Sequence, residues 1–196
     1  MDKLDLKKID KAFYSGPREG WALIEVPHAQ YLWVEGKGDP SGPDYEAAMK
    51  RLYPVAYGVK FAAKSAGRDF AVPPQSTLWW ADDPQAFVEG RRAEWRWRAM
   101  LRMPDFVTVG DVAQAATVKG VTGVGFDPLD EGTCFQALHI GPYTAEAPRL
   151  AQLHDEVMPR AGVTFNGHHH EIYLSDPRKT APEKLRTILR QPVRAA

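Results

Sequence analysis

Hydrophobic and polar residues alternate over several short stretches of this chain, which is typical of strands with one buried face. The run from Gln30 to Gly36 alternates and ends at a glycine, and Phe135 to Gly141 repeats that pattern. Two longer stretches have helical spacing instead, from Asp44 to about Lys64 and from about Ala145 to Arg160. The pattern therefore predicts an α+β fold in which short strands and helices alternate.

The order of these elements repeats along the chain. In each half a strand and a Gly/Pro turn precede a helix, and a later strand ends in Asp-Pro, at Pro84 and again at Pro177. We predict two β-α-β-β repeats with pseudo-two-fold symmetry, antiparallel sheets, helices on one face and a central pocket. The prediction is a single domain over 1–196, with repeat one at about 20–90, repeat two at about 94–180 and a C-terminal tail at 181–196.

The helical stretches carry signals for their ends and their buried face. Asp44 is the predicted N-cap of the first helix, and Pro54 predicts a local kink because proline lacks the backbone donor. Between the repeats, Thr108 and Asp111 predict the capped start of a helix that runs to about Lys119. The apolar stripes are Ala48, Leu52, Val55 and Val59 in the first helix, and Leu150, Leu153 and Val157 in the second.

Composition narrows the functional classes. The chain has 25 basic and 25 acidic residues and a formal net charge of zero, so charge gives no reason to expect nucleic acid or an anionic membrane as a partner. Cys134 is its single cysteine, and no stretch has the apolar length of a signal peptide or a membrane span. The single cysteine leads us to expect a cytoplasmic protein. We expect no cofactor, since no P-loop, GxGxxG or GxSxG motif is present in a suitable context.

The strand near the C-terminus carries a candidate functional carboxylate. Glu171 and Tyr173 point to one side of that strand, and Ile172 and Leu174 point to the other. We expect the apolar pair to lie under the helices, and Glu171 and Tyr173 to face the side where the two copies meet. A carboxylate among aromatic rings has a raised pKa and can bind a cation or act as a general acid or base. The alternative is a surface glutamate paired with a Lys or Arg.

Aromatic residues supply the predicted walls of the pocket. Repeat alignment makes Trp80 the partner of Tyr173 and leaves Trp79 in the core. Trp95 and Trp97 share one face of the strand from Trp95 to Arg102, and the pattern leaves open whether that face is core or pocket wall.

A second aromatic stripe, formed by Tyr53, Tyr57 and Phe61, recurs at helical spacing on the first helix. It fits core packing or a pocket mouth in which the Tyr57 hydroxyl bonds a ligand. The loop at 65–76 is either a lid or a long connection.

Metal and thiol chemistry have weak support. In the run His168-His-His-Glu171 only His169 and Glu171 share a strand face, whereas a zinc site needs three or four convergent ligands. We therefore predict no metal, and a metal-dependent enzyme would require an ion at those two residues. Cys134 opens an apolar strand and fits a small buried hydrophobe better than a nucleophile.

Several motifs resemble the GyrI-like family over nearly the whole chain: Glu35-Gly-Lys-Gly-Asp-Pro40, Leu78-Trp-Trp80, Trp95 to Val107, His139-Ile-Gly-Pro-Tyr143 and His168 to Val193. The resemblance implies a tandem β-α-β-β domain that binds small molecules, with Glu171 matching the glutamate on the pocket floor. The chain is most similar to the free-standing branch that includes cyclopropanoid cyclopropyl hydrolases. These enzymes add water to the strained cyclopropane of DNA-alkylating natural products.

Two functional hypotheses follow from the resemblance. In the first, the protein hydrolyses such compounds and detoxifies them, with Glu171 activating the water and Tyr57 supplying a hydroxyl to the oxyanion. In the second, it is a non-catalytic binder that sequesters drugs or modulates a protein such as gyrase, a partner for which the residues give no direct support. In both, the ligand is a planar apolar molecule, and the predicted contacts are Trp80, Trp97, Tyr143, Tyr173, Phe61 and His170.

Overall fold

The alternating and helical segments form strands and helices in the computed structural model, which describes residues 3–196. The strands are β1 Ala22–Val26, β2 Ala29–Lys37, β3 Gln75–Trp80, β4 Arg96–Met103, β5 Gly125–Leu129, β6 Gly132–Ile140, β7 Val163–Phe165, β8 His169–Tyr173 and β9 Arg186–Ala195. The helices are α1 Leu6–Ile9, α2 Pro43–Ser65, α3 Gln85–Val88, α4 Val109–Lys119, α5 Ala147–Gln152 and α6 Met158–Arg160. Short 3₁₀ turns lie at Lys11–Tyr14, Arg92–Glu94, Tyr143–Ala145 and Pro182–Lys184, and a π-helical turn at Leu153–Val157 joins α5 to α6.

The chain forms two compact units. Of the described residues, the first contains 3–10 and Ala29–Leu129, and the second contains Lys11–His28 and Asp130–Ala196. Strands of the first unit are ordered β3-β4-β2-β5. Strands of the second are ordered β8-β9-β6-β1, with β7 also paired to β9. Every pair is antiparallel, and in each unit a strand and helical segment precede further strands, so the predicted α+β fold is confirmed.

The limits of the repeated unit differ from the prediction. β4 is a central strand of the first unit, although the prediction placed it at the start of the second repeat. β9 is a central strand of the second unit, although the prediction left it in a C-terminal tail. The physical reason is that β9 buries polar side chains, among them Thr187, Arg190 and Gln191, so its pattern lacks the apolar alternation that marks a half-buried strand.

The core of the first unit lies between the sheet and helices α2 and α4. The predicted stripe of α2 is buried, and it packs against Leu32 and Val34 of β2 and against alternate residues of β4. α4 has the predicted capping box between Thr108 and Asp111. The predicted cap of α2 is wrong: Gly42 is the N-cap, without a side-chain bond, and Asp44 lies in the first turn, where a carboxylate favours the helix dipole.

The helical segment of the second unit is continuous from Ala147 to Arg160, close to the predicted bounds, but it contains a π-helical turn. α5 gives way to the π-helical turn, and α6 follows. A π turn places residues five apart on one side, and here Leu153 and Met158 both enter the core against Phe135 and Val193. Within residues 3–196 no helix is long and apolar enough to cross a lipid bilayer.

At Gly36, in the first unit, even the methyl side chain of alanine is expected to destabilise the fold. It lies directly across from Trp97 in the β2–β4 register, and a Cβ at Gly36 would lie 2.2 Å from the indole. Trp97 is 1% exposed and has no room to move aside. We expect Gly36→Ala to lower the free energy of unfolding by about 1–3 kcal/mol, the usual cost of an overpacked core.

Urea denaturation of both proteins measures this loss. Gly110→Ala in α4 is the matched control, because an added Cβ there meets only the Thr108 hydroxyl oxygen at 3.6 Å. The control substitution should leave stability unchanged or raise it, since alanine favours a helix. Equal stability of wild type and Gly36→Ala would contradict the packing described for Trp97.

Candidate functional site

The face of β8 that carries Glu171 is fixed by its register with β9. Glu171 lies across from Leu189, and Tyr173 lies across from Thr187. Leu189 and Thr187 share a side of β9 with Val193, which packs with Leu153 of the helical segment. Glu171 and Tyr173 therefore lie on the helix-bearing face of the sheet.

This placement corrects the predicted orientation of β8. The prediction put Ile172 under the helices and Glu171 on the opposite face. Ile172 is 2% exposed, but it belongs to the other face, together with His170 and Arg190. That face is covered by the 3₁₀ turn Lys11–Tyr14, because the Arg190 guanidinium donates to the Phe13 carbonyl at 2.8 Å. Both faces are covered, so strand alternation could not tell which one carried the helices.

Glu171 is held by two side chains of its own strand. The Tyr173 hydroxyl donates to Oε2 of Glu171 at 2.7 Å. Nε2 of His169 lies 3.5 Å from Oε1, a distance for charge attraction rather than a good hydrogen bond. The side chain of Glu171 is 14% exposed and that of His169 is 15% exposed. The carboxylate is therefore mostly enclosed, yet it keeps an opening toward solvent.

A second carboxyl group, that of Glu146, shares this site. Glu146 follows the 3₁₀ turn Tyr143–Ala145 at the start of α5, and it is buried. Burial and the neighbouring Glu171, to which it is hydrogen-bonded, raise the pKa of Glu146 strongly. Burial opposes ionisation of Glu171 as well, but His169, Tyr173 and the hydrogen bond from Glu146 hold the pKa of Glu171 below its ordinary value. The pair therefore binds one proton at neutral pH, and that proton sits on Glu146.

Tyr143 and Tyr173 form the aromatic side of this pair. Their rings meet edge to face with centroids 5.6 Å apart. Tyr143 is 40% exposed, so a ligand can reach it from solvent. Burial of its hydroxyl and the charges of Glu171 and Glu146 raise the pKa of Tyr143 to about 12, which keeps it a neutral hydrogen-bond donor.

The arrangement places an acid and a base side by side. Two carboxyl groups whose environments push their pKa values apart are the usual sign of paired acid and base roles. Glu171 can accept a proton from water, and Glu146 can donate one to an oxygen that becomes negative. The tyrosine hydroxyls can hold a polar atom of a ligand beside them.

Of the predicted site residues, Glu171, Tyr143 and Tyr173 come together within the second unit. His170 does not join them. Its Nδ1 lies 2.8 Å from Oε1 of Glu131, and Arg190 donates to Oε2 of the same carboxylate at 2.7 Å. All three side chains are buried, and this group, here called the buried polar cluster, has no exposed surface for a ligand.

The predicted residues of the first unit occupy different surroundings. Trp97 lies in the core and Trp95 packs against that core, which answers the question left open by the alternation. Trp79 is also core, as predicted, and Trp80 ends β3 half-buried on the other side. The binding role of Trp80 stays a prediction.

Tyr57 and Phe61 are exposed rather than packed in the core. The rings of Tyr53, Tyr57 and Phe61 follow one another along α2, with successive centroids 6.5 Å and 6.1 Å apart. This aromatic ladder is accessible to a ligand. The catalytic role of Tyr57 stays a prediction.

Three residues of the site escaped the sequence prediction as functional residues: Glu146, His169 and Thr187. Glu146 lies one helical turn after Tyr143, which is a usable signal, since residues three apart in a helical turn are neighbours. His169 was considered only as a metal ligand. Within residues 3–196 no group of three or more His, Cys, Asp or Glu side chains is arranged to hold a metal ion.

A shallow groove of about 560 Å³ lies elsewhere, in the first unit, at the start of α2. It is lined by charged and small residues, including Lys37, Asp39 and Arg92. Asp39 and Arg92 neutralise each other at 3.5 Å. The groove has no aromatic lining and no enclosed carboxyl pair, so the pair of Glu146 and Glu171 is the stronger candidate site.

Comparison with known proteins agrees with the resemblance seen in the motifs. The model of the GyrI-like small molecule binding domain matches residues 21–194. The chain belongs to the GyrI-like family. None of the curated proteins compared with it matches significantly.

Three crystal structures from Listeria innocua are similar to this GyrI-like chain over 98% of its length and all of theirs. One, an uncharacterized conserved protein, has 39% sequence identity and a TM-score of 0.90. Another, described as a hydrolase, has 38% identity and a TM-score of 0.83. The third, also described as a hydrolase, has 37% identity and a TM-score of 0.85.

Proposed function

We propose that this GyrI-like protein is a hydrolase that opens the strained cyclopropane of apolar, DNA-alkylating small molecules and so detoxifies them. The observation that carries the proposal is the buried pair of Glu146 and Glu171, with the proton on one member and the charge on the other. A domain that only binds ligands has no need to bury two carboxyl groups against each other, because this arrangement costs stability. Two similar Listeria proteins described as hydrolases support the same class of reaction.

The proposed reaction adds one water molecule to the substrate. The oxygen of the water attacks a carbon of the ring, and its proton passes to Glu171. The ring bond breaks, and its electron pair moves into a conjugated carbonyl of the substrate, which becomes an oxyanion. Glu146 donates its proton to that oxyanion, and the proton on Glu171 then returns to Glu146 within the pair, so the enzyme is restored.

The ligand class follows from the surfaces around these groups. Tyr143 and Tyr173 offer flat apolar faces beside the carboxyl pair. The aromatic ladder of α2 offers further exposed rings for flat apolar molecules. We propose Tyr143 and Tyr173 as ligand contacts within the second unit, and Trp80 and the aromatic ladder as apolar contacts of the first unit taken by itself.

Turnover is the direct test of the proposal. The protein is incubated with a cyclopropane-bearing alkylator that carries a conjugated carbonyl, and the product is followed by mass spectrometry. Hydrolysis gives the ring-opened alcohol, which has gained one water, faster than buffer alone does. Saturable binding that returns the compound intact would instead support a non-catalytic binder, the second of the two hypotheses drawn from the sequence.

A further inference from the structure

The two carboxyl groups of the site differ in the donors they receive. Oε2 of Glu171 accepts the Tyr173 hydroxyl, and Oε1 faces Nε2 of His169. Oε1 of Glu146 has no hydrogen bond of good geometry among residues 3–196, and neither does the nearby hydroxyl of Thr187. An ionised carboxylate needs donors much more than a protonated one does. The group with more donors therefore takes the negative charge.

His169 is the only imidazole of the described residues placed directly against this pair. Neither of its ring nitrogens makes a hydrogen bond of good geometry with another residue in 3–196. The ring is mostly enclosed, and Glu171 is the carboxylate it faces. A histidine that is not committed to another acceptor can bring a proton, and with it a positive charge, to Glu171.

A second imidazole nearby does not compete for this role. His154 lies in the π-helical turn, with its ring edge to face against Phe165 at a centroid distance of 5.0 Å. Burial, and after it the charge of His169, lowers the pKa of His154. His154 is therefore held in its neutral form, and His169 is the imidazole that faces Glu171.

We propose that His169 is the positioning residue that keeps the shared proton on Glu146 and the negative charge on Glu171. Its importance for turnover rests on the proposed function, since the base must be ionised and the acid protonated before substrate binds. The proton placement itself does not depend on any substrate. The other groups that face the pair are Tyr143, Tyr173 and Thr187. Asp176 acts on Tyr143, and His154 interacts with His169.

The test reads the proton directly in the full chain. Carboxyl carbons of ¹³C-labelled glutamate are titrated by NMR, and Glu146→Gln and Glu171→Gln proteins assign the two resonances. His169→Gln keeps an N–H but loses the charge, and His169→Leu loses both. We expect the midpoint of the Glu171 titration to rise by about 1–3 pH units in His169→Leu and by less in His169→Gln, the range expected for losing a nearby opposite charge. Circular dichroism checks that each variant is folded.

Two results would overturn the proposal. One is a Glu171 midpoint that is unchanged in both variants, or unchanged in His169→Gln if His169→Leu does not fold. The other is an equal shift in His154→Gln, the matched control, because the effect would then belong to general packing. The proposed function fails separately: a protein without turnover can still show the proton shift, and an active protein can lack it.

Discussion

Replacing Glu171 by Gln is expected to lower kcat/KM for ring opening by about 10²–10⁴, the usual contribution of a positioned general base. Gln has nearly the same shape and keeps an oxygen that can accept the Tyr173 hydroxyl, so the site should stay packed. What the substitution removes is the proposed general base. The measurement is steady-state turnover of the cyclopropane substrate, with ligand binding measured in parallel.

Binding and catalysis should separate in this variant. We expect little change in the dissociation constant, because the tyrosine rings that contact the ligand remain. Glu156→Gln is the matched control, since Glu156 is an exposed glutamate of the π-helical turn Leu153–Val157. Turnover that survives Glu171→Gln, or that falls equally in Glu156→Gln, would remove Glu171 from the mechanism.

Replacing Glu131 by Gln is expected to lower the free energy of unfolding by about 3–5 kcal/mol, because it leaves the buried Arg190 without its counter-ion. Arg190 is fully buried, and its other donors go to Gln136 and to the Phe13 carbonyl. Burial alone would raise the pKa of Glu131, yet His170 and Arg190 together lower it to about 2. Burial lowers the pKa of His170, so Arg190 is the permanent cation of the buried polar cluster.

The pH dependence of this loss has a definite sign. A carboxyl whose pKa is lowered by folding stabilises the folded state above its unfolded value, here 4.5, and loses that contribution as the pH falls toward about 2. The difference between wild type and Glu131→Gln should therefore be full at neutral pH and shrink below pH 4.5. Denaturant unfolding at several pH values measures it, with the exposed Glu183→Gln as control. A difference that grows on acidification would contradict the assigned ion pair.

The sequence pattern predicted which residues are buried wherever one face of an element meets the core and the other does not. The stripe of α2 followed from periodicity, because burial imposes that periodicity, whereas the separation of Trp79 from Trp80 also needed the repeat alignment. The same logic grouped Glu171 with Tyr173, and the hydrogen bond between them agrees with it. Family resemblance then singled out Glu171 from other strand carboxylates.

The pattern failed where polar residues are buried. Thr187 and Arg190 make β9 look like a solvated tail, although their side chains are fully enclosed. Glu146 looks like an ordinary acidic residue at a helix start. Its burial and its contact with Glu171, which raise its pKa, are visible only in the structure. The tertiary fold brings such partners together, and their contact cannot be predicted from their spacing in the sequence or from their residue types.

The bond between Arg190 and the Phe13 carbonyl joins residues 177 positions apart, and this separation bears on how the chain can fold during synthesis. The first unit is nearly continuous from Ala29 to Leu129, so its sheet can assemble once that stretch has left the ribosome. The second unit must wait for β9, which follows all its other strands in chain order. Until then β6 and β8 each lack their shared neighbour, and the Phe13 carbonyl lacks the guanidinium that donates to it. A chain that stopped before β9 would therefore keep one folded half and expose the other to proteases and aggregation.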